Sequence, residues 1–163
     1  MRFTKYFILI GAFFLLSSDF YPVSEYVPIL IDREEMEQAV KLDSPRPMIE
    51  PGKIYYKSPY LFIVEKYKGV HIIDNSNPSN PEKINFLHID GIRDVSVKGN
   101  VLYADNAVDL IAIQFNSSIT GITVSKRIEN YFPEMTPPDG FGLSHSVIVN
   151  RPENSIIVGW KKR

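Results

Sequence analysis

Residues 60–81, YLFIVEKYKGVHIIDNSNPSNP, consist of two apolar runs followed by a segment of turn-forming residues. The two apolar runs are short, rich in Val, Ile and Phe, and separated by the charged turn EKYK. Runs of this length and composition, bounded by turn-forming residues, predict a pair of β-strands. The segment DNSNPSNP, residues 74–81, predicts a turn before a further strand, because Asn and Ser side chains bond to nearby backbone groups and proline blocks strand pairing.

A calcium-binding loop is the alternative interpretation of residues 74–81, since such loops begin with aspartate and place oxygen ligands at alternate positions. The spacing argues against it. Pro78 stands where the third ligand belongs, and Asn85 stands where a bidentate glutamate is required. The sequence therefore implies no metal here, and no cofactor or metal is implied elsewhere.

The chain repeats itself at one constant offset. The offset superimposes Lys57 on Lys98, Leu61 on Leu102, Phe62 on Tyr103, Val70 on Ile111, Ile72 on Ile113, Asn75 on Asn116 and Ser76 on Ser117. Each unit contains four short apolar runs, and a unit of about 40 to 45 residues with four strands is typical of a propeller blade. Apolar residues at consecutive positions also favour sheets that are buried on both faces.

We therefore predict an all-β fold, a partial β-propeller-type array of four-stranded blades. Residues 53–93 and 94–134 form two full units, and residues 141–163 form a partial third unit. The segment SHSVIVNRPENSIIVGW is predicted to be the opening hairpin of that third unit. A β-sandwich is the alternative, although it would show a cleaner alternation of apolar and polar positions.

Residues 1–18 have the three regions of a secretory signal peptide. Arg2 and Lys5 precede the apolar segment YFILIGAFFLL, residues 6–16, and two serines follow it. This apolar segment is much shorter than the roughly 20 residues that a membrane-spanning helix needs. We expect export with cleavage. An uncleaved N-terminus that holds the chain at the membrane is the alternative.

Residues 19–52 form an N-terminal segment in front of the repeats. Asp32 is a good N-cap, and Glu35 three residues later completes a capping box, so we predict a helix over residues 33–41. The proline-rich sequence LDSPRPMIEPGK then predicts an extended connector. We expect the helix to pack against the first unit and to cover an edge strand or an apolar face, as a cap does in other repeat arrays.

Charge and cysteine content exclude several classes of protein. Eighteen basic and nineteen acidic residues give a net charge of −1, so the sequence has no basic patch of the kind that binds nucleic acid. The chain contains no cysteine. An exported chain without disulfides depends on its apolar core for stability.

The segments YLFIVEKYKGVHIIDNSNPSNP and VLYADNAVDLIAIQFNSS resemble the LVIVD-repeat family, and YVPILIDREEMEQAV resembles the segment before its repeats. The resemblance covers most of residues 26–160. It implies a propeller-like fold and a location in the bacterial envelope, as an exported and often lipid-anchored protein without established chemistry. Lipid-anchored relatives carry a cysteine near position 18 or 19, which this chain lacks.

Relatives also carry more repeats than the two full units and one partial unit of this chain. Closed propellers have about four to eight blades. We therefore expect either a piece of a longer propeller or association with other copies. An open stack of two blades would leave an apolar face exposed, which soluble monomers rarely tolerate.

The three histidines do not indicate a metal or catalytic site. His71 lies in the middle of a predicted strand and Ala112 is its repeat partner, so we predict a packing or surface histidine and not a metal ligand. His88 lies in an outer strand and is predicted to face solvent. His145 lies between two serines, but no strand, turn and helix surround it as in a nucleophile elbow.

Four aspartates, Asp90, Asp94, Asp105 and Asp109, recur at predicted strand ends. Glycoside-cleaving propellers use paired carboxylates, whereas aspartate at strand ends is also a routine turn signal. We favour the turn role. Asp94 and Asp105 facing each other across a cleft would instead favour an enzyme.

The segment EMTPPDGFG, residues 134–142, is a proline- and glycine-rich insertion between the second and third units. Loops on rigid scaffolds often bind partners, and aromatic residues flank this one. We favour a solvated connector.

The combined prediction is a non-enzymatic interaction or structural module of the bacterial envelope. Its partner would be an unidentified protein or glycan, and self-association is possible because the units do not close a ring. The competing hypothesis is a carbohydrate-binding or glycoside-cleaving protein. No catalytic, cofactor-binding or metal residue is assigned.

Overall fold

The structure, a computed structural model, describes residues 22–163. The signal peptide predicted at residues 1–18 lies outside the described residues. The strands are β1 Tyr26–Asp32, β2 Lys41–Asp43, β3 Pro51–Lys57, β4 Tyr60–Glu65, β5 Gly69–Asp74, β6 Glu82–His88, β7 Val95–Lys98, β8 Val101–Asn106, β9 Asp109–Phe115, β10 Ile122–Ile128 and β11 Ser155–Lys162. The helices are α1 Arg33–Gln38 and α2 His145–Val149.

These strands form three antiparallel sheets. Sheet A has the order β2-β6-β5-β4-β3, sheet B has the order β10-β9-β8-β7, and β1 pairs with β11 in a two-stranded terminal ribbon. The predicted all-β class is therefore confirmed. None of the three sheets closes on itself. Sheet A has five strands and not the predicted four, because β2 from the N-terminal segment pairs with β6.

The sequence repeat is visible in the strand positions, but it holds for only part of each unit. Strands β4 and β8 have the same length, and the repeat offset superimposes them end to end. The hairpin between β4 and β5 has a turn of three residues, from Glu65 to Gly69, whereas Asn106 and Asp109 pair across a turn of two. The offset between the third strands, β5 and β9, is therefore shorter by one residue.

This one-residue difference corrects the predicted superposition. Phe62 pairs with Ile72 in sheet A, and the corresponding Tyr103 pairs with Ala112 in sheet B. The structural counterpart of Ile72 is thus Ala112 and not Ile113. Neighbouring residues of a strand point to opposite faces of the sheet. The predicted superposition therefore places the residues of β9 on the wrong face relative to β8.

The main core lies between sheets A and B. It consists of the buried residues Phe62, Val64, Val70, Ile72, Leu87, Ile89, Ile92, Val95, Val97, Leu102, Ala104, Ile111, Ile113, Phe115 and Ile119. Two polar contacts join the sheets beside it. Tyr55 Oη donates to the Val97 carbonyl oxygen at 3.0 Å, and Asn85 Nδ2 donates to the Ile119 carbonyl oxygen at 2.7 Å.

A second core lies under the terminal ribbon. Met36 of α1, Ala107 of the β8–β9 turn, Met135, and Ile157, Val158 and Trp160 of β11 are its buried members. Pairing of Tyr26 with Lys162 and of Asp32 with Ser155 marks the ends of the ribbon. The ribbon therefore joins the first and last described strands and packs on the end of sheet B.

The connection at residues 74–81 is a turn between β5 and β6. The Asp74 carboxylate accepts hydrogen bonds from the Ser76 hydroxyl at 2.6 Å and from the Ser76 backbone N–H at 2.8 Å. These two bonds lower the pKa of Asp74 below its usual range. Asn77 Oδ1 accepts from the Ser79 backbone N–H at 3.2 Å, so the polar side chains stabilise the turn as expected.

The helix predicted over residues 33–41 is shorter than expected. Asp32 is its N-cap, as predicted, and its carboxylate accepts from the backbone N–H groups of Glu34 and Glu35. The helix ends at Gln38 because Lys41 begins β2 and pairs with His88. Strand β1, Tyr26–Asp32, lies directly in front of the helix in this N-terminal segment.

The predicted hairpin at the start of a third unit is wrong. Its first half, SVIV, lies in helix α2, which begins after Ser144 and ends before Asn150. Its second half is β11, which pairs with β1 along its length. Since β11 has its partner in β1, the preceding residues are free of strand pairing and form a helical turn.

Candidate functional site

On the outer face of sheet B, the described residues leave apolar side chains in solvent. Two rows of paired residues cross it: Ser96, Tyr103, Ala112 and Lys126 in one, and Asp105, Leu110 and Ile128 in the other. Tyr103 is 40% exposed and Ile128 is 44% exposed. On the inner face of the same strands, Ile111 and Ile113 are completely buried.

A groove of about 480 Å³ lies on this outer face. Its lining includes Lys53, Arg93, Asp94, Ser96, Tyr103, Asp105, Leu110 and Phe132. Phe132 follows β10, and its backbone N–H donates to the Val108 carbonyl oxygen at 2.8 Å. Its ring meets the Tyr131 ring edge to face at a centroid distance of 4.9 Å. Aromatic, basic and acidic groups thus share one concave surface.

Asp105 lies at the base of the groove, and both of its oxygens are already bonded. Oδ1 accepts from the backbone N–H groups of Arg93 and Asp94, each at 2.9 Å. Oδ2 accepts from Arg93 Nε at 2.7 Å. The side chain is buried. Asp105 therefore fixes the chain segment that enters β7, as a turn-stabilising carboxylate does.

Asp94 lies at the rim of the groove. Its Oδ1 accepts from the Val95 backbone N–H at 2.8 Å, and its Oδ2 forms an ion pair with Lys53 Nζ. The side chains of Lys53 and Asp94 are 67% and 57% exposed. Asp94 and Asp105 thus lie in one groove, but the backbone of Asp94 is bonded to Asp105, and the two carboxylates do not face each other as a free pair.

Asp109 is completely buried and belongs to a different cluster. It accepts from Arg127 Nη1 at 2.6 Å, from Arg33 Nη1 at 3.2 Å and from the Asn130 backbone N–H at 3.0 Å. Burial of the Arg33 guanidinium acts to lower its pKa, but its bonds to Glu37 and Asp109 outweigh this and raise it. The cluster joins α1 to sheet B.

The remaining predicted aspartate, Asp90, faces His88 with 3.2 Å between Oδ2 and Nε2. His88 was predicted to face solvent, but it is half-buried. His145 is exposed in α2. The four aspartates therefore lie in three separate places: Asp90 beside His88, Asp94 and Asp105 in the groove, and Asp109 in the cluster with the two arginines. Among residues 22–163, no group of three or more histidines and carboxylates is arranged to hold a metal ion.

Sequence reasoning missed a buried pair in sheet A, Glu65 and His71. His71 Nε2 lies 3.0 Å from Glu65 Oε2, and the backbone N–H groups of Ile49 and Glu50 also donate to this carboxylate. Burial acts to raise the pKa of Glu65, but these hydrogen bonds lower it below its usual value of 4.5. His71 is buried and its ring packs edge to face on Phe86 at 4.9 Å, so of the two positions predicted for it, packing and surface, it takes the packing position.

Only one feature of the sequence pointed to this pair. Glu65 directly follows the apolar run LFIV, whose last three residues are buried, and it takes the same structural role in sheet A that Asp105 takes in sheet B. In both sheets, a carboxylate on the second strand holds two backbone N–H groups that precede the first strand.

The insertion at residues 134–142 is a connector held at both ends. Glu134 forms two hydrogen bonds with the Arg151 guanidinium, at 2.8 and 2.5 Å. Asp139 Oδ2 accepts from Ser24 Oγ at 3.0 Å and from the Glu25 backbone N–H at 2.9 Å. The segment thus ties the second core to the terminal ribbon, while Phe141 remains exposed.

Comparison of the chain with family models, with curated proteins and with solved structures finds no match. Within residues 22–163, no helix has the length and hydrophobicity needed to cross a membrane.

Proposed function

We propose that this chain is an exported, non-enzymatic repeat module of the propeller type that serves as an interaction or structural element of a bacterial envelope. The signal-like sequence at residues 1–18 supports export, and the resemblance to LVIVD repeats supports the envelope location. Two sheets of consecutive strands, related by the repeat offset of the sequence, support a propeller-type array.

The observation that carries the non-enzymatic interpretation is the bonding of Asp105. Glycoside cleavage needs two carboxylates that can both reach the substrate, at a separation of about 5 to 10 Å. Asp105 is buried and both of its oxygens accept from the chain's own donors, so Asp94, which is exposed and itself bonded to Val95 and Lys53, is the one carboxylate of the groove that solvent reaches. A surface with one available carboxylate and two aromatic rings suits binding better than hydrolysis.

A carbohydrate-binding function is the second candidate. It is favoured by the combination of Tyr103 and Phe132 with Arg93 and Asp94 in one groove. Aromatic faces and hydrogen-bonding groups side by side are the features by which proteins hold sugar rings.

Incubation of the purified chain with a panel of chromogenic glycosides and envelope polysaccharides tests the proposal. We expect no turnover and no saturable binding by titration calorimetry. Hydrolysis that disappears in Asp94→Asn would establish the enzyme, and saturable sugar binding that disappears in Tyr103→Ala would establish the carbohydrate-binding candidate. Ile148→Ala, on exposed helix α2, is the matched control outside the groove.

Export is tested separately by expressing the full chain in a bacterial host, separating the cytoplasm from the envelope and determining the N-terminal residue. Recovery in the envelope fraction with residues 1–18 removed is the expected result. Recovery in the cytoplasm with Met1 retained would contradict the export proposal.

A further inference from the structure

The outer face of sheet B is the structural counterpart of the face of sheet A that is buried in the main core. Tyr55, Phe62 and Ile72 form a row across three strands of sheet A. The corresponding row in sheet B is Ser96, Tyr103 and Ala112. Phe62 and Ile72 are at most 2% exposed, whereas Tyr103 is 40% exposed.

The neighbouring row gives the same relation. Val64, Val70 and Leu87 lie side by side in sheet A and are buried. Their counterparts in sheet B are Asp105, Leu110 and Ile128. Leu110 is half-buried and Ile128 is 44% exposed. In sheet A this face is covered by sheet B, whereas in sheet B no further described sheet or helix covers the same face and Arg93 and Phe132 line only its groove.

The opposite face of sheet A is also only partly covered. Residues 44–50 cross its β5–β6 half, where Arg46 stacks over the Phe86 ring at 3.3 Å from the centroid. On the edge strand β3, Ile54 and Tyr56 are 64% and 59% exposed, whereas their neighbour Ile63 on β4 is buried. This face is the counterpart of the inner face of sheet B, since Leu61 and Ile63 correspond to the buried Leu102 and Ala104.

The described chain therefore carries two open apolar surfaces with matching roles. One is the outer surface of sheet B, defined by Tyr103, Leu110, Ala112 and Ile128. The other is the free surface of sheet A, defined by Ile54 and Tyr56. The main core shows how two such surfaces pack together. In it, the sheet A counterpart of the outer surface of sheet B packs on the inner face of sheet B, which is the counterpart of the free surface of sheet A.

Charge supports the same fit. Lys53 and Asp94 occupy equivalent positions of the two repeat units, and they form an ion pair across the junction of sheets A and B. If the outer surface of sheet B met the free surface of sheet A of another copy, Asp94 of the first copy would meet Lys53 of the second. Opposite charges would again face each other at the same position of the junction.

We propose that the outer surface of sheet B binds the free surface of sheet A of a second copy of this chain, in a head-to-tail contact. The inference rests on the proposed propeller-type array. A contact between two different surfaces repeats from copy to copy, and it forms a ring where the rotation closes. The rim of such a ring would carry alternating lysine and aspartate.

Two single variants and their mixture test the contact by sedimentation velocity over a wide range of concentration. Ile128→Asp blocks the outer surface of sheet B, and Ile54→Lys blocks the free surface of sheet A. Each variant alone is expected to associate at least about tenfold more weakly than the wild type, because a charge would be buried without a partner. An equal mixture is expected to form one heterodimer, since each variant retains the surface that the other lacks.

Ile148→Asp, on exposed helix α2, is expected to associate like the wild type. Circular dichroism melting of every variant checks folding, and Tyr103→Lys replaces Ile128→Asp if the latter fails to fold. A wild type that stays monomeric overturns the inference, as does an Ile54→Lys chain that still dimerises or a mixture without heterodimer. These outcomes leave the non-enzymatic proposal intact, whereas glycoside turnover would overturn that proposal whatever the association.

Discussion

Apart from the additional strand β2 in sheet A, sheets A and B have the same strand order, but they differ in what covers their faces. Sheet A has sheet B on one face and residues 44–50 across half of the other. Sheet B has sheet A on its inner face, and on its outer face the described residues place Arg93 and Phe132 at the groove but no further sheet or helix. The same repeat unit thus has a largely covered version and an open version in one chain.

The side chains at equivalent positions of the two sheets account for the difference in coverage. Where sheet A carries Phe62 and Val64 in the core, sheet B carries Tyr103 and Asp105. Tyrosine tolerates partial exposure because its hydroxyl can remain hydrated. Asp105 turns its carboxylate to local backbone donors. The open face therefore retains apolar area without a continuous apolar row.

The largest expected effect is on the free energy of unfolding of Phe62→Ala. Phe62 is 2% exposed, so the substitution should cost about 3–5 kcal/mol through lost burial and a cavity. Tyr103→Ala, at the equivalent position, should cost less than about 1 kcal/mol, because Tyr103 is already 40% exposed. Urea unfolding at a concentration where the chain is monomeric measures both. Equal losses would contradict the assignment of covered and open faces.

The next effect concerns the buried charges that join α1 to sheet B. Asp109→Ala leaves the guanidinium groups of Arg33 and Arg127 without their shared carboxylate. Removal of one partner from a buried ion pair costs about 3 kcal/mol, and the same technique measures it. The double variant Asp109→Ala, Arg127→Ala should recover part of that loss, since it removes one unpaired charge. No recovery would mean that Asp109 acts through its bond to the Asn130 backbone instead.

Much of the fold was predictable from local pattern, and the errors have identifiable causes. Strands β4 and β8 follow from short apolar runs at a fixed offset. The register of β9 does not, because a turn shorter by one residue reverses the faces of the strand that follows. The run SVIV has the composition of a strand, yet its state depends on β1, which is distant in sequence and takes β11 as its partner.

The sequence was sufficient to identify the acidic residues of the candidate site, but not their arrangement or their hydrogen bonds. The sequence identified Asp94 and Asp105 as notable carboxylates, and the structure places both in one groove. Their bonding depends on the segment before β7, which no local pattern specifies. Burial of Glu65 was also hidden, since a glutamate at a strand end ordinarily faces solvent.

A smaller effect is expected at the buried carboxylate of sheet A, and it depends on pH. The folded chain holds the pKa of Glu65 below 4.5, so its contribution to stability is present above that value and is lost as pH falls through the lower folded pKa. Glu65→Gln should cost about 2 kcal/mol at neutral pH, because it weakens the bonds to two backbone N–H groups. It should also flatten the acid limb of the stability profile, measured by urea unfolding at a series of pH values. An unchanged acid limb would assign that loss to other carboxylates, of which Asp74, Glu134 and Asp139 also have lowered pKa values.

The smallest expected effect is at the ion pair between the two sheets. Lys53 and Asp94 are both more than half exposed, so Asp94→Asn should change the free energy of unfolding of the monomer by less than about 1 kcal/mol. The same substitution should weaken self-association more strongly at low salt than at high salt, because opposite charges would meet again between copies. Sedimentation at two ionic strengths, with the charge-exchanged double variant Lys53→Asp, Asp94→Lys as control, measures this. The exchanged variant should restore association, because each contact between copies would still bring one lysine and one aspartate together, with their positions exchanged. If it does not, the ion pair serves only the contact within one chain, and the apolar residues alone would have to account for any contact between copies.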